Sequence, residues 1–253
     1  VTHPGFREQK EISSRLNDLD DLVESLTKLI AKKRAVKQGI MQELLTGRTR
    51  LPGFEGEWAR RPIHEVLSPR SERNTDVRDL EVLSCTKHFG FVRSLDFFKS
   101  HVFSRDLSGY RVIRRGDIGY PANHIEEGSI GVQELFDVAL VSPIYVVMEP
   151  LAGNDGFFLQ RQLKLESFRH KFSRATNASV DRRGSLRWRE FSQIRVDVPE
   201  PAEQQAIAKV LRDADAEIAA LERRLEATRA IKQGMVQELL SGRTRLPVGE
   251  DAA

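Results

Sequence analysis

Cysteine is almost missing from these 253 residues: Cys85 stands alone. One thiol can make neither an internal disulfide nor a thiolate metal cluster, which fits a reducing, cytoplasmic setting. Long apolar runs are missing too. No stretch approaches the roughly 18 residues that a membrane helix needs, and the N-terminal residues lack the apolar core of a secretory leader. No membrane partner is expected. Nor does either charge dominate, since 40 Lys and Arg against 37 Asp and Glu leave +3. So mild a basic balance permits a nucleic-acid partner without demanding one. With 30% charged and 40% hydrophobic residues, the composition is that of an ordinary soluble protein.

Catalytic signatures are also lacking. There is no Gly-x-x-x-x-Gly-Lys-Ser/Thr loop to cradle a nucleotide, so no nucleotide-driven motor is expected. No Asn-Pro-Pro-aromatic tetrapeptide and no Gly-rich methyl-donor loop occurs. Cys85 and His88 form a pair without the further ligands that a metal needs. No metal or cofactor is expected. Asp79, Glu81 and Lys87 loosely echo the carboxylate–lysine grouping of a nuclease, at poor spacing.

What is present, above all, is a repeat. Shifted by 195 positions without a gap, the first 52 residues overlie Val196–Pro247. KQGIMQELLTGRTRLP at Lys37–Pro52 returns as KQGMVQELLSGRTRLP at Lys232–Pro247, and from Arg34 to Pro52 15 of 19 positions are identical. Upstream, Glu8-Gln9 matches Glu203-Gln204 and Ile12 matches Ile207. About 145 unrelated residues separate the copies. Two copies around one unique segment read as two equivalent struts flanking a single domain.

Each copy reads as a long helix, the first from about Arg7 to Thr46. Ile12, Leu16, Leu19, Val23, Leu26 and Ile30 are spaced alternately by four and three. Ile207, Leu211, Ala214, Ile218, Leu221 and Leu225 repeat that spacing. Such a heptad seam supercoils with a partner helix. Because the first helix enters the middle domain and the second leaves it, side-by-side pairing makes an antiparallel coiled coil. The Ile12–Ile30 seam is expected to face the Ile207–Leu225 seam, with Ile12 near the latter's C-terminal part. Gly47 and Gly242 stand where a left-handed cap belongs. Gly39 and Gly234 lie inside the helices, where glycine costs about 1 kcal/mol against alanine, and suggest a close backbone approach at the crossing.

The expected organisation is therefore a helical region at 1–52, a middle domain at 53–199, and a second helical region with tail at 200–253. The middle domain reads as mixed α and β, giving an α+β fold carried on two long helices. Glu81–Ser84, Tyr110–Ile113, Ile144–Met148 and Gln193–Pro199 read as strands, and Phe157–Phe172 as one helix with Phe158, Leu159, Leu163 and Phe168 on its core side. From Leu159 to Glu190 nine Lys or Arg face three acids, a net +6, twice that of the whole chain. Arg174, Asn177, Arg182, Arg183 and Arg187 fall in a segment that looks unable to bury itself. Arginine suits phosphate contact and guanine reading, and asparagine suits adenine. Lys87 and His88, in a polar loop after a strand, are further candidates. A solvated basic face is the plainer reading of the same charges.

At this point the residues resemble a known family. A KQGIMQELLTGRTRL-like block placed twice, each behind a Glu-Gln-x-x-Ile helix, is similar to the conserved regions of type I restriction–modification specificity subunits. Trp58, the V-L-S-C-T strand, GDI at Gly116–Ile118, VSPIY at Val141–Tyr145 and the closing PEPAEQQAI fit the intervening domain in outline. The resemblance implies a non-catalytic subunit that reads one half of a bipartite double-stranded DNA target. It also implies partners: a methyltransferase (modification) subunit docked on the helices and a separate motor–nuclease (restriction) subunit. The family plan has two recognition domains, and one would precede Val1, so the chain reads as the C-terminal half of such a subunit. A half-subunit that homodimerises to rebuild two heads is the other arrangement. A stand-alone or fused restriction endonuclease is the alternative from another functional class, and a coiled-coil protein without a DNA role is a third.

Overall fold

The computed structural model describes residues 5–98, 103–178 and 184–246. In chain order come α1 (Phe6–Leu44), β1 (Ala59–Pro62), β2 (Leu67–Pro69), β3 (Leu83–Thr86), β4 (Gly90–Arg93), α2 (Ser94–Phe98), β5 (Arg111–Arg114) and β6 (Ile118–Pro121). Then follow β7 (Gly131–Val132), β8 (Val138–Val141), β9 (Tyr145–Pro150), α3 (Gly156–Leu163), α4 (Glu166–Ala178), α5 (Trp188–Phe191), β10 (Arg195–Val198) and α6 (Pro201–Leu240). The chain divides into a helical unit, Val1–Met41 with Val210–Ala253, and a mixed unit, Gln42–Lys209.

In the helical unit α1 and α6 form an antiparallel coiled coil. Ion pairs fix the direction: Asp20 meets Lys232, Lys33 and Arg34 meet Glu217 and Glu222, and Lys37 meets Asp215, so from one end of α1 to the other the partners run backwards along α6. Leu26, Ile30 and Leu225 form the buried apolar cluster, flanked by Leu22, Val23 and Leu221. The register differs from a seam-on-seam match. Ile12 lies between Glu8, which pairs with Arg245, and Asp20, which pairs with Lys232, so it faces the stretch from Lys232 to Arg245 rather than Leu225. The reason is geometric. Each seam occupies the earlier part of its helix, and full-length antiparallel pairing overlays only the seams' later ends. Ile12, Leu211 and Ile218 are buried, while Leu16, Leu19 and Ala214 are half-buried. Ile207 is fully buried within the mixed unit.

Both copies end alike. Gly47 and Gly242 adopt φ of 69° and 70°, and the following Arg48 and Arg243 donate their N–H groups to the carbonyls of Glu43 and Glu238. That left-handed cap satisfies carbonyls that the helix leaves open and suits a residue without Cβ. The interior glycines behave otherwise. A Cβ built on Gly39 or Gly234 would meet nothing within 4 Å, so close backbone approach is not what places them there.

In the mixed unit the four-stranded sheet runs β2-β9-β6-β7, with two-stranded pairs β3-β4, β5-β8 and β1-β10, all antiparallel. The β5-β8 ribbon is apolar on both faces, as strand alternation requires of a buried ribbon. Ile113, Ala139 and Val141 join Leu83, Cys85, Phe91, Tyr145 and Val147 in one cluster. Val112 and Leu140 join Val82 and Tyr110 in another. Gly119 lies in β6 because Phe91 leaves no room: a Cβ there would sit 2.9 Å from the ring. The expected single helix over Phe157–Phe172 is two. Lys164 closes α3, Leu165 turns into the core, and α4 restarts at Glu166. Phe158, Leu159, Leu163 and Phe168 are nonetheless all buried. Asp155 caps α3 by accepting the Phe158 N–H at 2.8 Å.

Candidate nucleic-acid interface

The described sequence candidates do not converge on one place. Lys87 and His88 are exposed in the turn joining β3 to β4. A shallow cavity of about 210 Å³ there is lined by His88, Phe89, Glu134, Leu135, Arg161 and Lys164, among others. Its cations are engaged. Lys164 donates to the Lys87 carbonyl at 2.9 Å, and burial lowers its pKa below the ordinary lysine value. The Arg161 guanidinium lies 4.6 Å from the Phe157 ring centre. Cys85, behind this wall, is buried and its thiol is pushed up to about 12, so it is no nucleophile at neutral pH.

Arg174 is exposed on α4 and has no ion pair or side-chain hydrogen bond among the described residues. Asn177 belongs to the same helix, with its side chain outside the described residues. Arg182 and Arg183 also lie outside them. The segment expected to be unable to bury itself partly does so: Phe172, Thr176, Ser185 and Leu186 are buried. Aromatic packing explains this, since Phe172 stands between Phe168 and Phe191 with ring centres 6.1 and 5.7 Å away.

Arg187 opens α5 and lines a larger cleft of about 520 Å³. Arg70, Arg111 and Arg189 share its wall with Asn123, Tyr145 and Trp188. Among the described residues no Asp or Glu lines it. Burial and the neighbouring cations Arg73 and Arg187 depress the Arg111 pKa below its ordinary value. Arg70 is instead held by Asp117 at 2.8 Å and Glu149 at 2.5 Å. Sequence reading missed Arg73 and Arg111. Nothing in RVIR or SERN distinguishes an outward strand arginine from a functional one, and only tertiary pairing sets the two side by side.

The nuclease-like grouping is not assembled. Glu81 is paired with Arg93 just before β3, whereas Lys87 lies beyond its far end. Six extended residues at about 3.3 Å each put them roughly 20 Å apart along the strand. Among the described residues no group of three His, Cys, Asp or Glu is placed to hold a metal ion. Among the same residues no helix is long and apolar enough to cross a membrane.

No protein-family model matches the chain. Solved structures do resemble it. The HsdS subunit from Thermoanaerobacter tengcongensis aligns over 94% of this chain and 59% of its own, with TM-score 0.53 and 16% identity. The type I restriction–modification S subunit from M. genitalium aligns over 97% and 62%, with TM-score 0.56 and 15% identity. A chain from a structural study of type I restriction–modification complex assembly and conformational transition aligns over 92% and 59%, at TM-score 0.50 and 17% identity. The chain thus spans about three-fifths of the structures it matches. Two repeated helices forming an antiparallel coiled coil, with a mixed α/β unit inserted between them in sequence, give this chain the fold of the type I restriction–modification specificity subunits.

Proposed function

We propose that the chain is a non-catalytic DNA-specificity module of a type I restriction–modification complex. Its mixed unit contacts one half of a split double-stranded target, and its helices provide docking for modification and restriction subunits. One observation carries the reading: two helical repeats, sharing 15 of 19 residues over Arg34–Pro52, pair antiparallel and enclose, in sequence, a unit rich in exposed arginine. That arrangement is the fold of specificity subunits from two organisms. Non-specific affinity would come from Arg174, Arg187 and Lys87, exposed cations that can displace counterions from DNA. Arg182, Arg183 and Asn177 remain candidates for base reading, by side-chain chemistry alone.

The test is co-expression with a type I modification subunit from the same organism, followed by sequencing of methylated sites on random DNA. The expected result is a stable complex whose methylation follows a fixed half-site that the modification subunit alone does not select. Methylation with unchanged site choice, or no complex, would defeat the proposal. Cleavage by the purified chain with magnesium, persisting after removal of contaminating nuclease, would favour the restriction-enzyme alternative instead.

A further inference from the structure

We infer that the cleft walled by Arg111, Arg187 and Trp188, with Arg73 beside Arg111, seats a backbone phosphate of duplex DNA. The inference rests on the DNA-specificity reading and adds to it a location and a contact type.

The first support is an arrangement that folding alone disfavours. Arg73 and Arg111 are direct partners in an isolated antiparallel bridge. Like charges set directly opposite on paired strands destabilise them. Neither has an ion pair among the described residues. Arg73 donates to the Gly109 carbonyl at 3.0 Å and Arg111 to the Pro143 carbonyl at 3.3 Å. Those carbonyls fix the side chains yet leave most guanidinium N–H groups uncommitted and the charges uncancelled. Arg187 adds a third positive charge felt at Arg111.

The second support is the cleft itself. At about 520 Å³ it admits a phosphodiester with part of its flanking sugars, and among the described residues no carboxylate lines it. Arg70 and Arg189 in the wall are answered, by Asp117 and Glu149 and by Glu190, so the excess charge is centred on Arg73 and Arg111. Ser71 and Asn123 offer hydroxyl and amide donors at the same wall. Guanidinium forks with small polar donors suit phosphate oxygens, which accept several hydrogen bonds at once. The shallower cavity by His88 contrasts with this, for Glu134 lines it and its cations already have partners.

A phosphate contact adds affinity without sequence preference, and this decides the experiment. The full chain, bound to its modification subunit, is titrated against a labelled random-sequence duplex across a range of KCl, and log affinity is plotted against log salt. R73Q, R111Q and R187Q should each flatten the slope by part of the about 0.9 that one neutralised phosphate contributes, and the triple variant by up to the whole of it. The losses should be equal on unrelated sequences. R115Q, at an arginine that pairs with Asp137 and does not line the cleft, should leave the slope unchanged. Should R111Q fail to fold, the R73Q/R187Q pair carries the test, because both side chains are exposed.

A folded triple variant with the wild-type slope would overturn the cleft assignment while leaving the DNA-specificity reading intact. A loss confined to one sequence would overturn it in favour of base reading. Inorganic phosphate that protects the cleft beyond chloride of equal ionic strength, with duplex affinity unaltered by the variants, would make it a free-anion site and also overturn it. Wild-type complex that binds no duplex would defeat the parent reading as well.

Discussion

The helical unit and the mixed unit exclude water by different means. The helical unit has one narrow seam, centred on Leu26, Ile30 and Leu225, and a series of inter-helix ion pairs that are largely solvated. The mixed unit encloses side chains from all sides: Tyr120, Phe158, Phe172 and Phe191 are fully buried. A two-helix seam covers each apolar group from one direction, whereas sheets with helices laid on them leave no exposed side. Deletions should therefore cost more in the mixed unit, and small local gains should be easier to make in the helical one.

The largest effect expected is at Phe158, whose ring packs edge-on against Trp58 at 5.9 Å. Phe158→Ala should destabilise the mixed unit by about 3–5 kcal/mol, and Leu26→Ala the helical unit by about 2 kcal/mol. The probes separate the two, since both tryptophans, Trp58 and Trp188, belong to the mixed unit. Urea titration followed by tryptophan fluorescence reports that unit, and ellipticity at 222 nm is weighted toward the long helices. Equal losses at both sites would erase the contrast.

Next in size, Gly39→Ala and Gly234→Ala should each stabilise the helical unit by roughly 1 kcal/mol, because alanine fits helix interiors better and a Cβ meets open space there. A fall in the helical melting temperature would show a close approach to that face that the free chain does not display.

The smallest effect concerns acid. Glu8 is almost fully covered and accepts two bonds from Arg245, at 2.9 and 2.6 Å, and the Leu246 N–H at 3.2 Å. The bond from Arg245 holds its carboxyl below the ordinary value of 4.5, against an opposing push from desolvation. A depressed carboxylate contributes stability above its unfolded pKa and loses it as pH falls through the folded one. Helical melting should therefore decline below about pH 4.5 by more in the wild type than in Glu8→Gln. Parallel pH profiles would remove the clasp from the account. The counterpart in the mixed unit, Glu203 held by Arg50 at 2.5 and 2.6 Å, is wholly buried.

Much of the helical unit was legible because its determinants are local. Heptad spacing, capping glycines and a repeated block each act within a few residues, so α1 and α6 fall within two or three residues of their expected starts and stops. The register was not legible: seam spacing says which face pairs but not how far one helix slides past the other, and the terminal ion pairs decide that. In the mixed unit β3, β5, β9 and β10 were readable as strands, displaced by one or two residues. β1, β2, β6, β7 and β8 were not, being two to four residues long with partners far along the chain. The candidate site divides in the same way. Excess charge over Leu159–Glu190 is a property of sequence, and Arg187 came from it. Arg73 and Arg111 became candidates only when a bridge placed them opposite each other.

By itself the sequence determined two equal helices, their antiparallel sense, their caps, and a basic segment in an inserted α+β domain, because periodicity and connectivity are enough for those. Tertiary structure alone decided the helix register, the division of one expected helix into α3 and α4, and which arginines face carboxylates and which face a cleft. Those outcomes depend on residues distant in sequence that meet only when the chain has closed on itself, and charge pairing over a few ångströms leaves no trace in local spacing.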